Sequence, residues 1–187
     1  NSWSKWHNRL HKQLKHKKNL LPTNSSLLLA VSGGQDSMAL LKLILDLRKF
    51  YNWNLYIWHG DHGWHEHSTN TAKRLEEWCN ERSINFSCTR TLKKEIITEE
   101  AARNWRYKCL IAKAELISKS NLEFPCKSIL TGHTGTDRAE TFLMNLARGS
   151  HLKGLGALKE ERLLTQNFNL VRPLLGFKRK ETRQICK

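Results

Sequence analysis

Ser32-Gly33-Gly34-Gln35-Asp36-Ser37 is the segment of this chain best equipped for chemistry. It follows a short apolar run, Ser26 to Val31, that reads as a buried strand, and it precedes a helical pattern over about Met38 to Phe50. A helix that starts there presents unpaired N–H groups and the positive end of its dipole. The two glycines remove Cβ atoms that would keep an anion's oxygens off the backbone, and Ser32 and Ser37 add hydroxyl donors. The segment can therefore form a nest suited to phosphate. The G-x-x-x-x-G-K-[ST] spacing of an ordinary P-loop and its lysine are absent, and an acid, Asp36, stands there instead. A carboxylate beside a polyphosphate is repulsive unless a cation lies between them, so Asp36 points to Mg²⁺ bridging the phosphates.

Holding such a loop requires alternating elements, and the sequence supplies them. Strand patterns at Trp53 to His59, Ile84 to Arg90 and Ser128 to Thr131 alternate with helical ones over about Glu66 to Arg82, Thr98 to Lys119 and Asp137 to Arg148. This alternation predicts an α/β fold: a doubly wound, mostly parallel sheet with helices on both faces and ligands at the carboxyl ends of its strands. Beyond Gly149 the pattern weakens. Gly154 and Gly156 read as a flexible stretch, and Arg162 to Pro173 as a hairpin or irregular strands. Residues 1–22 form a basic amphipathic helix, with Trp3, Trp6, Leu10 and Leu14 at helical spacing, ahead of a main domain over 23–187. That stripe packs on the main domain or, alternatively, serves a nucleic-acid or membrane surface.

Bulk properties narrow the partners. The chain has 187 residues and a formal net charge of +15, from 32 Lys and Arg against 17 Asp and Glu, which favours nucleic acid over a small anion alone. The five cysteines lack any C-x-x-C pair and suit reduced thiols in a cytosol-like compartment. The longest apolar run, Leu27 to Val31, is far below the roughly 20 residues that span a bilayer, so no membrane partner is expected.

Ala30-Val31-Ser32-Gly33-Gly34-Gln35-Asp36-Ser37 resembles the S-G-G-x-D-S signature of the PP-loop, or N-type, ATP pyrophosphatases. Further segments are similar to those of the tRNA(Ile)-lysidine synthases. They are His59-Gly60-Asp61-His62-Gly63; Glu99-Glu100-Ala101-Ala102-Arg103 with Arg106-Tyr107; Thr131-Gly132-His133 through Thr141 with Asn145 to Ser150; and Arg172-Pro173-Leu174-Leu175. The pattern departs from the family's at Thr134 and Thr136, which replace a His and an Asp, at Arg138, which replaces a Gln, and at His65, where Arg is frequent.

The resemblance implies a ligase that uses ATP and Mg²⁺ to adenylate the C2 oxygen of the wobble cytidine in tRNA(Ile) with a CAU anticodon. The ε-amine of free lysine then displaces AMP, in a bacterial cytoplasm or plastid stroma. The family's C-terminal tRNA-binding domains are not among these residues. On that reading Ser32, Gly33, Gly34, Gln35, Asp36 and Ser37 bind the leaving pyrophosphate, with Asp36 on Mg²⁺. Asp61 and His62 contact nucleotide or metal. Asp137 and Glu140, one helical turn apart, hold the lysine ammonium and accept its proton. His133 faces the activated base or the α-phosphate, and Arg103 and Arg106 clamp phosphate or the flipped cytosine.

Each residue also has a plainer reading. Asp137 can be the N-terminal charge of a helix with Glu140 solvated, and Arg103 and Arg106 can be surface charges. His59, Asp61, His62, His65 and His67 can bind zinc. Trp58 and Trp105 suit the core better than base stacking. Two other functions compete: a tRNA thiolase of the same superfamily, and a catalytically silent nucleic-acid-binding module.

Overall fold

The computed structural model describes residues 3–61, 68–91, 98–147 and 158–187. Its centre is β1 (Ser25–Ala30), whose Leu27, Leu28 and Leu29 are all completely buried. Consecutive side chains of a strand point to opposite faces, so a run of three buried leucines needs cover on both sides, as parallel sheets have. Leu27 and Leu29 pack with Val31 against α2 (Gln35–Tyr51), through Leu40, Leu43, Ile44 and Leu47. Leu28 packs on the opposite face against Leu110, Ala114 and Ile117 of α4 (Glu99–Ser120).

Parallel neighbours flank β1: β2 (Trp53–Asp61) on one side and β4 (Cys126–Thr131) on the other. β3 (Asn85–Arg90) lies outside β2, and β6 (Asn169–Val171) lies outside β4, both parallel. β5 (Glu161–Leu163) closes the edge antiparallel to β6. The six-stranded order is β3-β2-β1-β4-β6-β5. The chain winds one way from β1 to β3 and the other way from β4, so the switch point falls between β1 and β4, where such sheets bind ligands. Arg162 to Pro173 thus contains a hairpin, and its second strand also continues the parallel sheet. α3 (Ser68–Asn80) and α5 (Gly135–Ala147) complete the alternation.

The first helix, α1 (Lys5–His16), buries His7, Leu10 and Leu14, and its two leucines join the core that also holds Leu40 and Ile44 of α2. Ser4 and His7 form a capping box at its start. The Ser4 amide donates to Nδ1 of His7 at 3.1 Å, so the ring proton sits on Nε2, which faces Asp46 Oδ2 at 3.0 Å. Its far end is held by Gln13 and Lys17 on Glu160. Among the described residues no helix is long and apolar enough to cross a membrane.

Leu29→Ala empties a fully enclosed position in the central strand and is expected to cost about 2–5 kcal/mol. Urea unfolding followed by far-UV circular dichroism measures it; a loss under about 1 kcal/mol would contradict the two-sided cover of β1.

Candidate active site

The Ser32–Ser37 loop leaves the carboxyl end of β1 at the switch point. Val31 continues the strand by donating its N–H to Trp58 O, and its own carbonyl accepts from His59 Nδ1 at 2.7 Å. A carbonyl can only accept, so His59 carries its proton on Nδ1 and props the loop from β2. Gly33 then turns the chain at φ +83°, a conformation costly for a side chain, and a Cβ there would meet Thr71 Cγ2 at 2.6 Å. Gly34 is the N-cap of α2 and makes no side-chain cap bond, so it leaves the first turn's amides without a side-chain cap. Ser37 donates to Gly34 O at 2.8 Å and lies 3.2 Å from Ser32 Oγ. The helix begins at Gln35, earlier than the hydrophobic period indicates, and this places Asp36 and Ser37 in its first turn.

The side chains of Gln35 and Asp36 are directed to α6 (Arg179–Ile185). Gln35 Nε2 donates to Arg179 O and Thr182 Oγ1, both at 2.8 Å. Asp36 Oδ1 accepts the Thr182 hydroxyl, and Asp36 Oδ2 faces Arg179 Nε at 3.7 Å. Gln35 therefore has its backbone, and not its amide, to offer an anion. Among the described residues, only a long, solvent-exposed arginine approaches the other Asp36 oxygen. One or two carboxylates together with phosphate oxygens form an ordinary Mg²⁺ donor set, so Asp36 Oδ2 fits that ion.

Across the switch point, the segment after β4 lies against this turn. A Cβ on Gly132 would come within 2.8 Å of both Ser37 Cα and Ser37 N, and 2.9 Å of Asp36 C. Only glycine allows that approach, and it brings His133 beside the loop. His133 Nδ1 is 2.9 Å from Thr131 Oγ1. Burial first, then the charges of Arg172, Arg103 and Arg106, push its pKa down to about 4 against the pull of Asp137. The imidazole is neutral at pH 7 and serves as a hydrogen-bonding group.

The same charges show that Arg103, Arg106 and Asp137 share His133's surroundings. Asp137 Oδ2 accepts from Thr134 N at 2.7 Å and from Thr134 Oγ1 at 2.9 Å, so it caps α5 from within its first turn. Thr136 Oγ1 accepts the Arg179 amide at 3.2 Å. The two threonines at departing positions thus have local work, one fixing Asp137 and one fixing the start of α6. Glu140 is exposed one turn further along α5.

Asp61 is the last residue of β2. It is 2% exposed and pairs with Arg90 Nε at 2.8 Å across the β2–β3 edge. His62, His65 and His67 lie outside the described residues, as do Gly63 and residues 148–157. Among the described residues no group of three His, Cys, Asp or Glu is arranged to hold a metal. Trp58 is buried, and Trp105 packs partly buried against the same core. Sequence reasoning assigned no role to Arg172, Tyr107, Arg179 or Thr182. For Arg172 a signal existed: a charge inside the apolar run Leu170 to Leu175 announces a buried, purposeful guanidinium.

Comparison with known proteins fits this geometry. The family model described as the PP-loop domain matches residues 5–187. A tRNA(Ile)-lysidine synthase of Prochlorococcus marinus is 60% identical over 98% of this chain and 55% of its own length. The chloroplastic tRNA(Ile)-lysidine synthase of Pyropia yezoensis is 41% identical over 91% of this chain and 50% of its own. The chain thus spans about half the length of these curated relatives. Among solved structures, the U34-tRNA thiolase NcsA of Methanococcus maripaludis, with its [4Fe-4S] cluster, superposes with a TM-score of 0.65 at 21% identity, covering 100% of this chain and 65% of that one. That likeness is one of fold.

Two outcomes are expected. Gly132→Ala drives a methyl group into the α2 backbone and should lower stability by about 1–3 kcal/mol, with faster amide exchange in the first turn of α2 than elsewhere. His133 has a folded-state pKa below its unfolded value near 6.5, so unfolding takes up a proton between these values. Its contribution is complete above pH 6.5 and is lost as pH falls toward 4. The urea midpoint of His133→Asn should therefore fall less steeply than that of the parent over this interval; parallel curves would refute the neutral, half-buried imidazole.

Proposed function

The chain belongs to the PP-loop domain family, and from that membership and its similarity to tRNA(Ile)-lysidine synthases we propose that it is the catalytic domain of such an enzyme. In this reading it binds ATP, adenylates the C2 oxygen of the wobble cytidine of tRNA(Ile), and joins free L-lysine to that carbon with release of AMP and pyrophosphate. The observation that carries it is the approach of Gly132 to Ser37, which sets a neutral imidazole beside an open helix N-terminus.

The β- and γ-phosphates rest on the amides that open α2, with Ser32 and Ser37 hydroxyls at the loop's mouth. Asp36 would hold Mg²⁺ there, and the ion when bound would neutralise charge on the leaving pyrophosphate. The cytidine oxygen attacks the α-phosphate, the bond to the β-phosphate breaks, and a poor leaving oxygen becomes part of AMP. His133 donates or accepts a hydrogen bond at the base or the α-phosphate without changing its charge. Lysine, with an ordinary pKa near 10.4, presents a free amine in only about one molecule in a few thousand at pH 7. Asp137 and Glu140 hold its ammonium and accept the proton as the amine attacks C2. Arg103 and Arg106 balance the phosphate charge. Asp61, the last residue of β2, and His62 are assigned to contact nucleotide or metal.

The alternatives have less support. A sulfur-transferring enzyme needs an activated thiol, yet burial raises the pKa of all five cysteines, Cys79 to about 11 and Cys126 to about 12. A silent binding module has no use for a carboxylate at an anion-binding turn. A bacterial cytoplasm or a plastid stroma is the proposed compartment, and one relative is named as chloroplastic.

Pyrophosphate release should require ATP, tRNA(Ile) and lysine for turnover, and Asp36→Asn should lower it by about 10²–10³-fold with an unchanged circular dichroism spectrum. Release driven by a sulfur donor would transfer the chain to the thiolases, and undiminished turnover by Asp36→Asn would remove the metal from the argument.

A further inference from the structure

Three guanidinium groups meet at one phenol ring on α4. The Arg103 and Arg162 guanidinium carbons each lie 5.3 Å from the centroid of Tyr107. Arg172 lies close enough to the same tyrosine for their side chains to interact. Arg172 follows β6 directly and is only 1% exposed. Its Nη1 donates to Lys159 O at 2.7 Å, while its Nε has no hydrogen-bond partner among the described residues. Among the described residues none of these three arginines forms an ion pair.

This arrangement is unfavourable in isolation. Like charges repel at such separations, and a buried N–H without an acceptor costs about 1–3 kcal/mol, more when it is charged. An anion at the exposed Arg103 and Arg162 offsets the excess of positive charge. The planar fork of arginine matches the oxygens of phosphate, and Tyr107 fixes two of the forks by ring contact. Position argues for the same ligand. β1 and β6 flank β4, so at the ordinary strand spacing of about 4.8 Å the exit of β6 lies about 10 Å from the Ser32–Ser37 turn, with His133 between.

We propose that Arg103 and Arg162, held on Tyr107 beside the buried charge of Arg172, form a second phosphate-binding site on the side of His133 away from the Ser32–Ser37 loop. Its occupant is a phosphate group, supplied either by the RNA backbone next to the reacting nucleotide or by the nucleotide itself. The site deepens the proposed function and rests on it, because it would seat the polynucleotide beside the reacting centre. Its binding readout does not depend on turnover.

Arg162 and Arg103 are exposed, so their alanine variants test the site without opening the core. With the full chain, affinity for a short RNA hairpin carrying a CAU loop is measured by fluorescence anisotropy across a salt series. Affinity for a non-hydrolysable ATP analogue is measured in parallel. Arg162→Ala and Arg103→Ala should each weaken the hairpin about fivefold to tenfold and lower the slope of log K against log salt by about one. Loss in the RNA arm assigns the phosphate to the backbone, and loss in the ATP arm assigns it to the nucleotide. Unchanged affinity in both arms, for variants that melt like the parent, overturns the site. Pyrophosphate release by the parent separates the two failures: a parent that turns over while both variants bind normally loses only this site, whereas an inactive parent whose RNA binding depends on Arg162 loses only the ligase.

Discussion

Everything in this site depends on how closely two backbones approach at the switch point of the sheet. The strand exits of β1 and β4 are neighbours, and the chain leaving β4 lies so near the first turn of α2 that a single methyl group on Gly132 would overlap Ser37. This contact sets the distance between an open helix N-terminus and His133. A wider gap would let water between them and restore the solvation that His133 loses. The low pKa of that imidazole is thus a consequence of packing, reinforced by arginines placed on neighbouring elements.

A second constraint comes from the chain's last helix. α6 takes the Gln35 amide and the Asp36 carboxylate, and its own first amide is held by Thr136 at the start of α5. It therefore ties together the N-termini of α2 and α5, the two helices that open on the site. Asp36 is held in one orientation by a neutral hydroxyl on one oxygen, and its other oxygen faces a positive charge at 3.7 Å. A cation beside bound phosphates would find this carboxylate already oriented, with little further loss of side-chain entropy.

Charge is distributed along the carboxyl edge in a consistent order. Asp36 is the carboxylate of the Ser32–Ser37 turn, the neutral His133 stands at the next strand exit, and the arginines collect one strand further out, around Tyr107. The excess of basic residues is therefore partly organised within the fold, where a low local dielectric makes each charge count for more than it would in water.

The sequence alone determined the fold class and the place of the Gly33–Gly34 turn, because both rest on local physics. Alternating strand and helix periods require a parallel sheet, and two glycines between an apolar strand and a helix let the backbone turn with the helix's first amides uncapped by a side chain. It also marked His133, Asp137, Arg103 and Arg106, and these do share one neighbourhood. Tertiary structure alone decided which atoms remained available. Gln35 and Asp36 turn to α6 because Thr182 arrives from 147 and 146 positions away in sequence, with Arg179 beside it, and no local pattern encodes that. Asp61 is buried against Arg90 because β2 and β3 pair in a particular register. The cluster around Arg172 exists only where α4, β5 and the end of β6 converge. Residue types and spacing define which groups a chain can use; desolvation and long-range hydrogen bonding define which of them are left for a ligand.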